Sequence, residues 1–358
     1  MSTVGIKETM NSAKSGWMAG GGPEGDILIS SRVRVARNLK GYAYPHLLDQ
    51  EKAEQVIHAV QLALDSQAIK SRLDELETIR MSELSPVERQ ILVEKHLISP
   101  NLLEEYSKKA VVLQDDEVIS IMINEEDHLR IQCLLPGLQL EKAWALVNQI
   151  DDGLENTLDY AFSEKFGYLT ACPTNTGTGM RASVMLHLPG LVLVDQVGAV
   201  LTTVSKLGFT VRGLYGEGTE ALGNLFQLSN QVTMGHSEQE IINSLNSVTG
   251  QILAQEREAR KALMQQRKDQ LEDKMGRSYG ILKYAHMISS EEAMRRISDV
   301  RMGVDLQLID GLTAEQLTEL MVMTRPAYLA KEGNNKLDPL RRDILRAEII
   351  RNKLNKGG

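Results

Sequence analysis

The chain has 358 residues, 42% hydrophobic and only 4% aromatic, enough apolar material for two cores and too much length for one compact unit. A formal net charge of -8, from 40 Lys and Arg against 48 Asp and Glu, makes nucleic acid and anionic membrane poor partners for the surface as a whole. Only Cys133 and Cys172 are present, which excludes a disulfide framework and a metal-ligand cluster, and no apolar run approaches the ~20 residues that a bilayer span needs.

From Met1 to Gly25 the sequence is polar and glycine-rich, with no basic segment leading into an apolar run, so a cytoplasmic protein with free thiols is expected. After Gly20-Gly21-Gly22-Pro23, the segment Ile27 to Asn38 alternates as a strand. Ile27, Ile29, Ser31, Val33 and Val35 fall on one side, and Arg32 and Arg34 share the other. Helical apolar spacing follows over Glu51 to Gln67 and Pro86 to Lys109. Val118 to Leu135 predicts two strands joined around Asn124-Glu125-Glu126-Asp127, a charged turn expected to hold its carboxylates away from the core.

Leu138 to Phe166 predicts a helix, Tyr168 to Ala171 is a short apolar run, and Arg181 to Leu188 alternates again. A helix over Val194 to Lys206 and a strand over Thr210 to Leu214 complete an α+β pattern, a largely antiparallel sheet flanked by helices. From Ser237 the chain reads as nearly all helix, with start signals at Ser237, Ser289, Thr313 and Asp338-Pro339. The boundary is placed near Gly250, giving a catalytic domain over 1–249 and an all-α domain over 250–358. Methionines 287, 294, 302, 321 and 323 of the latter suit adaptable core filler.

A guanidinium nitrogen is a poor nucleophile, because its lone pair is delocalised and the group stays protonated to a pKa above ~12. Phosphorylating it takes carboxylates to align the fork and accept a proton, with cations around the phosphates. Both occur here in or beside expected loops. The carboxylates lie in Asn124 to Asp127 and in Tyr215 to Glu220, and the cations are Arg32, Arg34, Arg130, Arg181 and Arg212. Alone, the charged turn is an ordinary solvated hairpin, Cys172 a small buried hydrophobe, and the arginines surface ion-pair partners. Their joint order is what points to function. Cys133, in IQCLL, is a core residue.

The segments SSRVR (Ser30 to Arg34), NEEDHLR (Asn124 to Arg130), FGYLTACPTNTGTGMRAS (Phe166 to Ser183) and VRGLYGEGTE (Val211 to Glu220) resemble, in order, the signature segments of the guanidino kinases. The resemblance implies that Glu126 orients the guanidinium and takes its proton, and that Glu217 holds the other side of the fork. It implies that Cys172 sits beside the guanidinium as a thiolate or hydrogen-bond acceptor, its pKa depressed by nearby positive charge. Arg32, Arg34, Arg130, Arg181 and Arg212 would grip the phosphates of ATP, with Mg2+ bridging them. Three positions depart from the small-substrate kinases. Met185 stands where they have a His near the nucleotide, Gln227 where they have an Asp, and Tyr215 where free-arginine kinases have an Arg.

Those kinases also carry a helical domain before SSRVR that encloses the substrate, whereas here Met1 to Ile29 precedes it. The acceptor side is therefore expected to be open, and the added helical domain makes the chain resemble the bacterial protein-arginine kinases. The resemblance then implies that Arg342 and Arg346, one turn apart on the last helix, take a phosphoarginine phosphate while Asp343 takes its guanidinium. The helix face could equally be solvated and salt-bridged. Implied partners are arginine-bearing protein substrates including the heat-shock repressor CtsR, a small zinc-binding activator protein and the Clp chaperone-protease, with phosphoarginine as a degradation mark. A homodimer through the helical domain is expected, and direct nucleic-acid or membrane binding is not. The rival readings are a free-arginine kinase and a catalytically silent arginine- or phosphoarginine-binding adaptor.

Overall fold

The computed structural model describes residues 14–70, 76–213, 221–333 and 337–355. In chain order the strands are β1 (Leu28–Arg37), β2 (Leu76–Arg80), β3 (Ala110–Gln114), β4 (Ile119–Ile123), β5 (Leu129–Pro136), the short β6 (Phe162–Ser163) and β7 (Gly167–Tyr168), β8 (Met180–His187), β9 (Phe209–Gly213) and β10 (Leu225–Asn230). Eight of them form one sheet in the order β2-β3-β4-β5-β1-β8-β10-β9, with every neighbouring pair antiparallel. The helices are α1 (Gln50–Leu64), α2 (Gln67–Lys70), α3 (Pro86–Glu94), α4 (Leu140–Glu155), α5 (Pro189–Leu193), α6 (Val197–Lys206), α7 (Glu238–Gln266), α8 (Lys268–Tyr284), α9 (Ser290–Asp305), α10 (Ala314–Met323), α11 (Pro326–Glu332) and α12 (Pro339–Asn355).

The sheet register decides which side chains meet. Arg34 on β1 stands opposite Gln132 on β5 and Arg181 on β8, and Ala36 stands opposite Arg130. On the far side, Gln227 of β10 pairs with both Met185 of β8 and Arg212 of β9. Residues directly opposite in an antiparallel pair project to the same face, so Arg32, Arg34, Arg130, Arg181 and Arg212 all share one. The reverse face carries Val33, Val35, Ile121, Ile131, Cys133, Ala182, Val184 and Leu228, all buried against α1, α4 and the first part of α7. Each such Val or Leu contributes roughly 1.5–3 kcal/mol through burial.

The arginine face is covered at both ends and open between them. Ile79, Val111, Leu113 and Met122 at the β2–β4 end pack under residues 81–103. At the other end Ile29, Leu134 and Leu225 pack against the helical part, through Met294, Leu317 and Leu320 among others. Ile29 departs from its expected side, because a register shift between Leu28 and Ser30 turns it over while Leu28 joins the Val33 core.

Two expected helices are shorter than their apolar spacing. The run from Pro86 ends at Glu94, because His96 takes a φ of +60° and Pro100 offers no amide, leaving short turns in place of the second half. The helix expected to Phe166 ends at Glu155, and Phe162–Ser163 instead pairs with Gly167–Tyr168.

Beyond β10 the described chain is helical. Ser237 with Glu240 and Thr313 with Gln316 form capping boxes, and Ser289 accepts from the Glu292 amide, so the three side-chain start signals all act. Gly250 lies inside α7, which runs unbroken from Glu238 to Gln266 and packs on the sheet core as far as Ala259. The change of core falls later, between Ala259 and Leu263, and Arg267 leaves helical geometry just beyond it, between α7 and α8. Met294, Met302 and Met321 are buried as filler, whereas Met287 is exposed.

Candidate active site

The open strip of the sheet concentrates positive charge. Arg34 is pushed well below the usual arginine range, by burial first and then by Arg32, Arg130 and Arg181, with Glu125 opposing. Its Nε is buried with no hydrogen-bond partner. Arg181 is lowered in the same way, by burial first, then by Arg130 and Arg212, while Cys172 and Glu126 pull it back up. Five groups named from sequence therefore share Arg181's electrostatic neighbourhood. Guanidinium charge gathered on a sheet face, with the buried Arg34 Nε an orphaned donor among it, fits a polyanion such as a nucleotide triphosphate.

The turn between β4 and β5, expected to hold its carboxylates away from the core, buries two of the three. Glu125 and Asp127 are buried, because each is paired with groups that converge on the sheet end. Glu125 receives Arg130 Nη1 at 2.6 Å, the Glu126 amide at 3.0 Å and the Ser99 hydroxyl. Burial pushes its carboxyl up, but Arg130, Ser99 and the Glu126 amide together hold it below the usual carboxylate range. Asp127 Oδ1 receives Asn38 Nδ2 at 2.6 Å and the Ala171 amide at 2.7 Å. Glu126 alone of the three stays half-exposed. Its carboxyl is raised by burial, then by the charges of Asp127 and Glu125, against Arg130 and Arg181. Glu125, Asp127 and Asn38 went unassigned in the sequence. For Glu125 and Asp127 the signal was two further carboxylates beside Glu126 in one short turn.

Cys172 follows Ala171 directly, with its Sγ 3.0 Å from the Thr174 hydroxyl. The loop is pinned from behind. Thr233 Oγ1 donates to the carbonyls of Thr174 and Thr176, and Thr170 Oγ1 to that of Cys172 at 2.7 Å. Gly177 has a φ of +115°, and a Cβ there would lie 2.4 Å from the Thr233 carbonyl oxygen, so only glycine lets the two chains approach. Cys133 is buried core, its thiol pushed up to about 12 by burial.

Beside the arginines, Ser30, Arg32, His96, Leu134, Ser183, Met185 and Gln227 line a narrow cavity. Met185 and Gln227, two of the three departures from the small-substrate pattern, are thus neighbours in one place. The imidazole missing at 185 is matched by His96 from the chain after α3, which sequence reasoning had placed inside a helix. Burial, then Arg32 and Arg325, hold His96 down to about 3, so it is neutral.

Residues 55–259 match the family described as ATP:guanido phosphotransferase, C-terminal catalytic domain, and residues 268–357 the Protein-arginine kinase McsB C-terminal domain. The chain is 61% identical over 97% of both lengths to the protein-arginine kinase of Pelotomaculum thermopropionicum, and 58% identical over 98% of itself and 99% of that of Desulforamulus reducens. The chain belongs to the protein-arginine kinase family. It is accordingly an ATP-dependent phosphotransferase of the guanido class. Lombricine kinase shares the fold at 23% identity and a TM-score of 0.55, over 70% of this chain and 75% of that one. The duplicated taurocyamine kinase of Schistosoma mansoni does so with a TM-score of 0.57, over 69% of this chain and 35% of that one.

Two assignments of this protein-arginine kinase family member fall outside the residues described so far. Glu217 and Tyr215 lie outside the described residues. In α12, Arg346 is buried. Its Nε donates to the Thr324 carbonyl at 3.0 Å, and its Nη1 donates to that of Ile288 at 2.8 Å and to Asp343. Arg342 and Asp343 are part-exposed on the same helix.

Proposed function

We propose that the chain transfers the γ-phosphate of ATP to the guanidinium of arginine side chains in proteins. The observation that carries this is the shared environment of Arg181, in which Arg34, Arg130 and Arg212 meet Glu126 and Cys172. The arginines, with Arg32, would hold the triphosphate, and magnesium bound with the nucleotide would supply further neutralisation of its charge. Glu126, its carboxylate made more basic than usual, aligns the acceptor fork and takes a proton from the attacking nitrogen. The nitrogen bonds to the γ-phosphorus as the bond from that phosphorus to the bridging oxygen breaks, and ADP leaves. Cys172 accepts a hydrogen bond from the guanidinium, and Glu217 holds its far side. Catalysis is then mostly positioning and electrostatics. The nucleoside end lies against the mouth of the narrow cavity lined by His96, Met185 and Gln227.

Incubation with ATP and magnesium is expected to give an unfolded arginine-bearing protein an acid-labile, alkali-resistant phosphate that mass spectrometry localises to arginine. Consumption of free arginine with protein untouched would instead establish a small-molecule kinase. No transfer to either acceptor, with binding retained, would leave the adaptor reading.

Three further assignments complete the reading. Asp343 and Arg342 receive phosphoarginine, with buried Arg346 orienting Asp343. The exposed Tyr284, Met287, Leu340 and Ile344 gather around the Ile288–Asp343 backbone hydrogen bond and suit a homodimer contact, which sedimentation would test. A cytoplasmic setting, with the repressor, zinc-binding activator and Clp partners that the resemblance implies, would make the product a degradation mark. Among the described residues no helix is long and apolar enough to cross a membrane.

A further inference from the structure

Glu94 ends α3, and its carboxylate is buried where the catalytic part meets the helical part. It accepts the backbone amide of Ala327 at 3.0 Å and 3.2 Å to its two oxygens, and the Tyr328 amide also bears on it. Ala327 follows Pro326 in the first turn of α11, where helix amides lack partners within the helix. A side chain of one part of the molecule thus fixes the start of a helix in the other.

The next two residues lead to the nucleotide cavity. The Lys95 carbonyl accepts Trp17 Nε1 at 3.1 Å, and the Lys95 ammonium pairs with buried Glu117. His96 then turns the chain with a φ of +60° and lines the cavity beside Arg32. The Trp17 and His96 rings lie 5.7 Å apart. Arg325, just before α11, bears electrostatically on both Glu94 and His96. Three consecutive residues are therefore clamped by α11 at one end and open into the cavity at the other.

We infer that Glu94 is a positioning residue for nucleotide binding: its grip on the first turn of α11 sets where His96 stands against Arg32, so the seating of the helical part tunes ATP affinity. The inference rests on the reading that the nucleoside end of ATP lies against the mouth of this cavity. A carboxylate that cannot hold α11 removes one anchor of the short segment carrying His96, while Glu126, Cys172 and Arg181 are borne by other elements and Gln132 still holds the His96 and Leu97 carbonyls.

Two substitutions break the same hydrogen bond from opposite sides. Glu94→Ala removes the acceptor of the Ala327 N–H outright. Ala327→Pro removes the donor at a helix position where proline is tolerated. ATP binding is read from Trp17 fluorescence in a Trp144→Phe background and by calorimetry on the full chain. Each variant is expected to weaken ATP roughly tenfold, with kcat at saturating ATP and KM for the protein acceptor within about twofold of the parent. Wild-type ATP affinity in either folded variant, with only a lowered melting temperature, overturns the positioning role. His96→Ala separates this from the reading beneath it. If it binds ATP as the parent does, the cavity is not the nucleoside site. If it binds weakly while the other two bind normally, only the role of Glu94 is lost.

Discussion

The Asp127 carboxylate accepts a 2.7 Å hydrogen bond from the backbone amide of Ala171, so the turn that carries Glu126 is tied to the loop that carries Cys172. The same oxygen also accepts Asn38 Nδ2 at 2.6 Å, which anchors both to the end of β1. Asp127→Ala removes the one oxygen that accepts both bonds. Misplacement by about an ångström costs on the order of 100-fold in rate, so kcat should fall roughly 10- to 100-fold with KM for ATP little changed. Steady-state kinetics showing a full kcat would remove the tie from catalysis.

Glu126 must be ionised to accept a proton. Burial, then Asp127 and Glu125, raise its carboxyl above the ordinary value. Activity should therefore fall as pH drops through a point above the usual glutamate pKa of about 4.3. Removing the Glu125 charge with Glu125→Gln takes away one raising influence and leaves Arg130 unpaired to pull Glu126 down, so the acid limb of kcat/KM should move to lower pH. Glu126→Gln should cost ~10²- to 10⁴-fold in kcat. A limb that stays in place in Glu125→Gln would assign it to another group.

Arg34 is a stability cost held ready for a ligand. Burial and three like charges disfavour its guanidinium in the free protein. Arg34→Met should leave the melting temperature of the ligand-free protein unchanged or higher. ATP at about 100 times its Kd should add about 2.7 kcal/mol to the parent and almost nothing to the variant. Calorimetric scans with and without ATP decide it, and a lower ligand-free midpoint in the variant would contradict the argument.

Arg37 lies on the reverse face of β1, with Val33 and Val35, and does a different job. It donates to Asp151 Oδ2 at 2.6 Å and 2.9 Å, donates to the Ala36 and Thr178 carbonyls, and stacks 3.5 Å from the Tyr168 ring centroid. Asp151→Ala leaves that cation buried without its counter-charge, which should cost about 3–5 kcal/mol in urea unfolding. A loss under about 1 kcal/mol, the level of an exposed pair, would mean that water reaches the site.

Local patterns were readable where one residue's environment follows from its near neighbours. Alternation in SSRVR placed Arg32 and Arg34 opposite Val33 and Val35, and the caps at Ser237, Ser289 and Thr313 began helices because a side-chain oxygen meets an amide three residues on. The same logic failed at His96 and Ile29. Apolar spacing does not register a left-handed residue or a slipped strand pair, and both arise from partners distant in the chain.

Residue identity and order alone carried the family, the guanidinium chemistry and the five cations, because those depend on which groups exist and how they follow one another. The tertiary structure decided their division of labour. Pairing across the sheet put arginines from four strands on one uncovered strip, and burial with opposite charge turned Glu125 and Asp127 into supports while leaving Glu126 half-open and basic. Such differences lie in desolvation and in long-range contacts, which act on a side chain only once the folded backbone has brought its neighbours to it.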